Sequence, residues 1–258
     1  MSALPQFPIQ KLFETGSQNQ ILLGNRRCGK SFMAAHILKV HRNKFDIAIS
    51  FLGTPYCNDE ITQIISKNFD PRLNFTEFSP KTLDVLWDQQ NRLLSQGIRR
   101  RVCLIFDDVF TSSPHHLDVL TRLFMRGRHC LISCIFCCVS VSLIPKNIRR
   151  CADYLFVFSV LTGSDQKLLT DEYVSAKNKR VGIWSLRNLQ KFECLVLGTT
   201  GQNQKLFVYS VKTLQSQAHN ESLQSMHDSG PEVSEPCHQH TTCGLDSEIP
   251  EQSSEYDG

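Results

Sequence analysis

The sequence predicts an α/β fold: a mostly parallel sheet covered by helices on both faces and finished by a C-terminal hairpin. Three observations predict it. Apolar runs of strand length recur through the first 213 residues without the polar alternation of a half-exposed sheet. Stretches with helical apolar spacing separate them. The last two apolar runs flank a Gly- and Thr-containing loop, as the strands of a hairpin do.

In chain order, residues 20–24 form a short buried strand ending at Gly24. Phe32, Met33, Ala35, Ile37 and Leu38 place a helix over 29–42. A second strand over 45–51 stops at Gly53 and Pro55. Residues 58–67 read as a short helix and 74–78 as a short strand. Pro80 suits a first helical turn, and Leu83, Leu86, Leu93 and Leu94 supply the apolar face. Residues 101–107 form a third strong strand, followed by a helix over 114–125. Strands over 130–138 and 154–158 come next. The hairpin pairs 192–197 with 205–211.

The net charge of +3 conceals an asymmetry. Residues 214–258 hold nine acidic residues and no Lys or Arg. Residues 1–213 therefore carry all 28 basic residues against 16 of the 25 acidic ones, an excess of 12. A basic body has the charge sign that a nucleic-acid partner requires. The tail is rich in Ser, Gln, Glu, His and Pro without apolar periodicity, and reads as disordered. With 41% hydrophobic residues, the chain as a whole is not a disordered protein.

Eleven cysteines, several inside apolar strands (Cys103, Cys134, Cys137, Cys138, Cys194), do not form a secreted disulfide framework. The N-terminus lacks the signature of a signal peptide. The longest apolar run, about 130–144, is interrupted by Ser133, Ser140 and Ser142 and is too short to span a bilayer. These features predict an intracellular protein of cytoplasm or nucleus, with no membrane partner.

Gly24, Asn25, Arg26, Arg27, Cys28, Gly29, Lys30 and Ser31 match a phosphate loop, lying between a strand and a helix as that motif requires. The two glycines permit backbone conformations that a side chain would obstruct. Loop N–H groups and the helix N-terminus then face the phosphates. Lys30 places a positive charge at the β- and γ-phosphates, and Ser31 offers a hydroxyl to Mg²⁺. The expected ligands are ATP and Mg²⁺.

The strand over 102–107 runs into Asp107 and Asp108. Asp107 is the expected Mg²⁺ residue. Asp108 is read as the general base that orients the attacking water; the alternative is that it caps the next turn or helix.

Further residues carry a family resemblance. Gly127-Arg-His129, Ile132-Ser-Cys-Ile135, Ile144-Pro-Lys-Asn-Ile-Arg149, Ala152-Asp-Tyr154 and Phe156-Val-Phe158 resemble the viral genome-packaging ATPases of the FtsK/HerA superfamily. Poxviruses, giant viruses and Maverick (Polinton) transposons encode such ATPases. The resemblance covers about 18–212. It implies a RecA-like P-loop fold and a homo-oligomeric ring, commonly hexameric. It also implies double-stranded DNA as substrate, capsid proteins as partners and an association with virions. The chain then divides into an N-terminal extension (1–17), a P-loop ATPase domain (18–213) and an acidic tail (214–258).

In such rings a basic side chain of one subunit completes the next subunit's site. Arg149 is the first candidate for this role and Arg128 the second. An ion pair within the subunit or a DNA-phosphate contact is the other reading of Arg149. Relatives usually carry a Gln sensor near the end of the fourth strand, where this chain has Val139. Ser140 and Ser142 are nearby hydroxyls with shorter reach.

Weaker signals have plainer readings. Arg99, Arg100 and Arg101 precede the third strong strand, opposite the nucleotide edge, as a solvated turn or a phosphate contact. Lys177, Lys179 and Arg180 are similarly ambiguous. Cys237, His238, His240 and Cys243 are too cramped for an ordinary zinc site.

Overall fold

The computed structural model describes residues 4–53, 59–109, 113–158, 162–175, 178–190, 193–199 and 205–210. The acidic tail, the cluster at 237–243 and Lys177 lie outside the described residues.

Eight strands form one sheet: β1 Asn19–Leu23, β2 Ile47–Leu52, β3 Asn74–Phe75, β4 Val102–Asp107, β5 Ile132–Cys138, β6 Tyr154–Val157, β7 Glu193–Gly198 and β8 Lys205–Ser210. Their spatial order is β3-β2-β4-β5-β1-β6-β7-β8. The first six are parallel, and β7 and β8 add an antiparallel hairpin. This is the mostly parallel, hairpin-ended sheet that the apolar runs predict.

Both faces are covered, which explains the continuous apolar strands. Val102, Leu104 and Phe106 of β4 join one core, and Cys103 and Ile105 join the other. On the first face lie α3 Pro80–Ser95, α4 Pro114–Arg126, α5 Lys146–Arg150, α6 Gly163–Tyr173 and α7 Lys179–Arg187. Phe106 stacks on Phe51 with ring centroids 5.3 Å apart. On the second face lie α1 Lys30–Val40, α2 Asp59–Asn68 and the N-terminal segment. Phe7, Ile9, Leu12 and Phe13 of that segment are buried, and Phe7 N donates to Val208 O at 2.9 Å.

Element bounds differ from the sequence expectation in physically clear ways. β3 closes after Phe75, so only the first two residues of 74–78 pair. β5 begins at Ile132 because Gly127–Cys130 forms a 3-10 turn and Leu131 adopts a left-handed φ of 59°. Three helices, α5, α6 and α7, add to the expected elements. In α6, half the buried residues are polar (Asp165 and Thr170, beside Leu169 and Tyr173), so no apolar stripe marks it. Its sequence signal is instead the N-cap Thr162, whose hydroxyl accepts from Asp165 N.

The buried cysteines behave as small hydrophobes; Cys103, Cys134, Cys137, Cys138 and Cys194 are all free thiols. Among the described residues no helix is long and apolar enough to cross a membrane.

Candidate nucleotide site

In a parallel sheet the strand ends share one edge, here called the trailing edge, and the strand starts share the leading edge. β5 lies between β1 and β4, so the ends of all three converge. The phosphate loop leaves β1 at Gly24, whose N–H donates to Cys138 O at the end of β5 (3.2 Å). Gly29 ends the loop with φ 106°, and Arg27 adopts φ 61°. The glycine suits its left-handed position; the arginine is strained there. Arg26 and Arg27 are exposed, so their side chains leave the loop. Cys28 is half-buried beside them.

Lys30 opens α1 and is 6% exposed. Its ammonium donates to Gly24 O (3.0 Å) and Asn25 O (2.9 Å), carbonyls of its own loop. Ser31 Oγ donates to Asp107 Oδ2 at 2.6 Å. One contact thus joins residues separated by 76 positions. Burial pushes the Asp107 carboxyl above the ordinary carboxylate range, opposed chiefly by the Ser31 hydrogen bond. Asp108 raises it further, and Lys30 and the Cys137 thiol pull it down. A hydroxyl and a carboxylate side by side form an oxygen-donor set suited to a hard divalent cation that keeps most of its waters. Among the described residues no cluster of three or more His, Cys, Asp or Glu side chains offers a complete metal cage.

Asp107 is the last residue of β4 and is buried; Asp108 is exposed with φ 52°. The strand has ended, and Asp108 stands in a left-handed turn, exposed where Asp107 is buried. The sequence missed the partner that permits this turn. Gly53, just beyond β2, donates its N–H to Asp107 O at 2.9 Å. A Cβ at Gly53 would stand 2.3 Å from the Asp108 carbonyl oxygen. That contact is with backbone, so the turn carrying Asp108 would have to move. An isolated Gly at a strand end is visible in the sequence; its neighbour is not.

Val139 follows β5 and has no hydrogen-bonding side chain. Ser140 Oγ lies 2.8 Å from both oxygens of Asp165, a nearly buried carboxylate, and 2.7 Å from Ser142 Oγ. The hydroxyls nearest the sensor position are therefore engaged with α6.

Arg149 makes an ion pair within its own chain. Its guanidinium donates to Glu172 Oε1 (3.0 Å) and to Val141 O (3.1 Å), with its side chain 7% exposed. Burial and the pair with Glu172 hold its guanidinium against its own subunit in this single chain. Arg128 is exposed at the leading edge, where it acts electrostatically on Asp153. Arg99, Arg100 and Arg101 lie at that same edge, as expected, and are exposed. Lys179 pairs with Asp171.

Several solved structures share this fold. The chain is similar to the crystal structure of B204, the DNA-packaging ATPase from Sulfolobus turreted icosahedral virus (TM-score 0.53, 17% identity, 74% of this chain and 96% of that one). It is also similar to the genome-packaging NTPase B204 from Sulfolobus turreted icosahedral virus 2 in complex with AMP (TM-score 0.52, 18% identity, 74% and 96%). EssC (ATPases 2 and 3) from Geobacillus thermodenitrificans gives a TM-score of 0.56 at 13% identity, over 85% of this chain and 46% of that one. At these identities the likeness speaks to fold, that of P-loop ATPases. No curated protein sequence matches the chain. Residues 6–213 match the family described as Poxvirus A32 protein, and with this site on this sheet the chain belongs to that family of FtsK/HerA-type packaging ATPases.

Proposed function

We propose that this chain hydrolyses ATP and uses the energy to move double-stranded DNA, working as one subunit of a homo-oligomeric ring. The observation that carries the reading is the Ser31–Asp107 contact beside Lys30 and the exposed Asp108. The N–H groups of residues 24–31 and the N-terminus of α1 hold the phosphates. Lys30 exchanges its two loop carbonyls for β- and γ-phosphate oxygens. Ser31 and Asp107 would hold Mg²⁺, which supplies positive charge against the phosphates. Asp108 orients a water molecule and takes its proton as the water oxygen bonds to the γ-phosphorus. The bond to the β,γ-bridging oxygen breaks, and ADP keeps that electron pair.

Support for DNA as substrate comes from the family, the packaging NTPases of like fold, and the basic excess of residues 1–213. Capsid proteins are the partners expected of a packaging subunit. Arg149 serves its own subunit in this reading, by fixing the Val141 carbonyl just after β5.

A second reading has its own observation. Val139 cannot hydrogen-bond through its side chain, and the Ser140 hydroxyl is committed to Asp165. A weakly hydrolysing, nucleotide-switched assembly or DNA-binding module would tolerate both. ATP turnover with and without duplex DNA separates the two. The motor reading expects DNA-stimulated turnover that Asp108→Asn removes. Intact ATP binding with negligible turnover selects the switch, and a chain that neither responds to nor assembles with DNA discards the motor.

A further inference from the structure

The leading edge of the sheet carries a feature that the nucleotide site does not use. Three segments that enter strands there bring exposed arginines: Arg99, Arg100 and Arg101 before β4, Arg126 and Arg128 before β5, and Arg150 before β6. They come from distant parts of the sequence and meet only because β4, β5, β1 and β6 are neighbours. Three strand spacings cover about 14 Å, the scale of the ~12 Å major groove of duplex DNA.

This edge is built rather than incidental. Two buried carboxamides lash the arginine-bearing segments together. Gln90 Nε2 donates to Arg100 O (2.9 Å) and Cys130 O (3.0 Å), joining the approach to β4 with the turn that contains Arg128. Asn19 Nδ2 donates to Phe124 O (3.0 Å) and Cys151 O (3.1 Å), joining the end of α4 near Arg126 with the residue after Arg150. Two carboxylates at this edge face the backbone. Asp46 Oδ2 accepts from Arg101 N and Asp153 Oδ2 from Asn19 N, both at 2.7 Å. Among the described residues none of the six guanidinium groups has an ion-pair partner; Arg128 feels Asp153 only through space. Six exposed arginines without ion-pair partners, on segments tied to one another, gather positive charge at this edge, and a row of phosphates matches that charge.

We infer that the leading edge is the surface on which this protein holds the phosphate backbone of duplex DNA. The nucleotide sits at the trailing edge, so β4, β5 and β6 run from the DNA contact to the catalytic end. The inference rests on the proposed function for the identity of the polyanion. It adds the place of contact and the residues that make it.

The test is fluorescence anisotropy of a labelled duplex of random sequence, titrated with full-length protein at several salt concentrations. Arg99→Gln/Arg100→Gln/Arg101→Gln should weaken binding at least about tenfold and flatten the log K against log [salt] slope by about 2–3, roughly one unit per lost phosphate contact. Its DNA-free ATP turnover and melting temperature should match the parent. Arg126→Gln/Arg150→Gln, made separately, should flatten the slope by about 2 and keeps the inference testable if the triple variant misfolds. Parent-like affinity and slope in both folded variants overturn the inference and leave the motor reading standing. A parent protein that binds no duplex even at low salt overturns the motor reading itself. Unchanged DNA affinity with a changed assembly mass by light scattering makes this edge a subunit interface, which also overturns the inference.

Discussion

The two edges of the central sheet use the same strands and solve opposite problems. At the trailing edge, β1, β4 and β5 deliver backbone. Arg27 and Asp108 sit in left-handed conformations, Gly29 bends the loop, and a carboxylate is buried against a serine hydroxyl. At the leading edge, β4, β5 and β6 begin beneath exposed arginines, held by side-chain amides on backbone carbonyls. Chemistry on a phosphoanhydride needs atoms fixed within tenths of an ångström, and the left-handed Arg27 and Asp108 shape the backbone where the strands end. Holding a polyanion needs charge density and a rigid base, which surface arginines on tied segments supply. Perturbing one edge should therefore change rates, and perturbing the other should change stability or affinity.

The largest expected effect is at the trailing edge. Asp108→Asn should lower turnover by about 10²–10⁴-fold, the usual worth of a positioned general base, while ATP binding measured by calorimetry stays within a few-fold. Parent-like turnover would return Asp108 to the role of a cap. Lys30→Ala should cost about 10²–10³-fold in turnover and strongly weaken ATP binding without loss of helical signal. Unchanged nucleotide affinity would remove Lys30 from the site.

Gly53→Ala sharpens the comparison because it touches no ligand. Its Cβ would meet the Asp108 carbonyl at 2.3 Å, and relief of such an overlap costs about 1–3 kcal/mol. Turnover should fall about tenfold or more, a displacement of about 1 Å being enough, with DNA affinity unchanged. If stability drops but turnover does not, Gly53 only supports the fold. Asn19→Ala is the leading-edge counterpart. It leaves the Phe124 and Cys151 carbonyls without their buried donor, at a cost of about 1–3 kcal/mol by denaturant unfolding. DNA-free turnover should stay within twofold.

The smallest effect is a pH dependence. The folded state holds the Asp107 proton more tightly than the unfolded chain does, because burial dominates. The group's contribution is therefore most favourable at low pH and is lost as pH rises through the raised folded value. Asp107→Asn should raise the melting temperature of nucleotide-free protein at pH 7, and the gain should shrink toward pH 4. A variant that melts lower at pH 7 would show the carboxylate to be net stabilising.

The nucleotide edge is legible in the amino-acid sequence because its parts are contiguous. Residues 24–31 must follow one another to turn a loop around phosphates, and Asp107 must end an apolar strand. The helix α6 is not legible in apolar period. Its buried positions include Asp165, whose carboxylate accepts from the Ser140 hydroxyl, and Thr170, whose hydroxyl donates to the Gln166 carbonyl. Arg149 shows the limit most clearly. Sequence offers it a neighbour's site or an ion pair within the subunit, and its partner in this chain, Glu172, lies 23 residues downstream, beyond the reach of local pattern.

By itself the sequence determined the strands, the hairpin, the phosphate loop and the paired carboxylates, since periodicity and short motifs record local backbone demands. Only the tertiary structure decided that β5 separates β1 from β4, that Gly53 must leave room for Asp108, and that three arginine-bearing segments meet at one edge. Those are relations between residues tens of positions apart, made close by sheet order. Local pattern carries no record of which strand becomes whose neighbour.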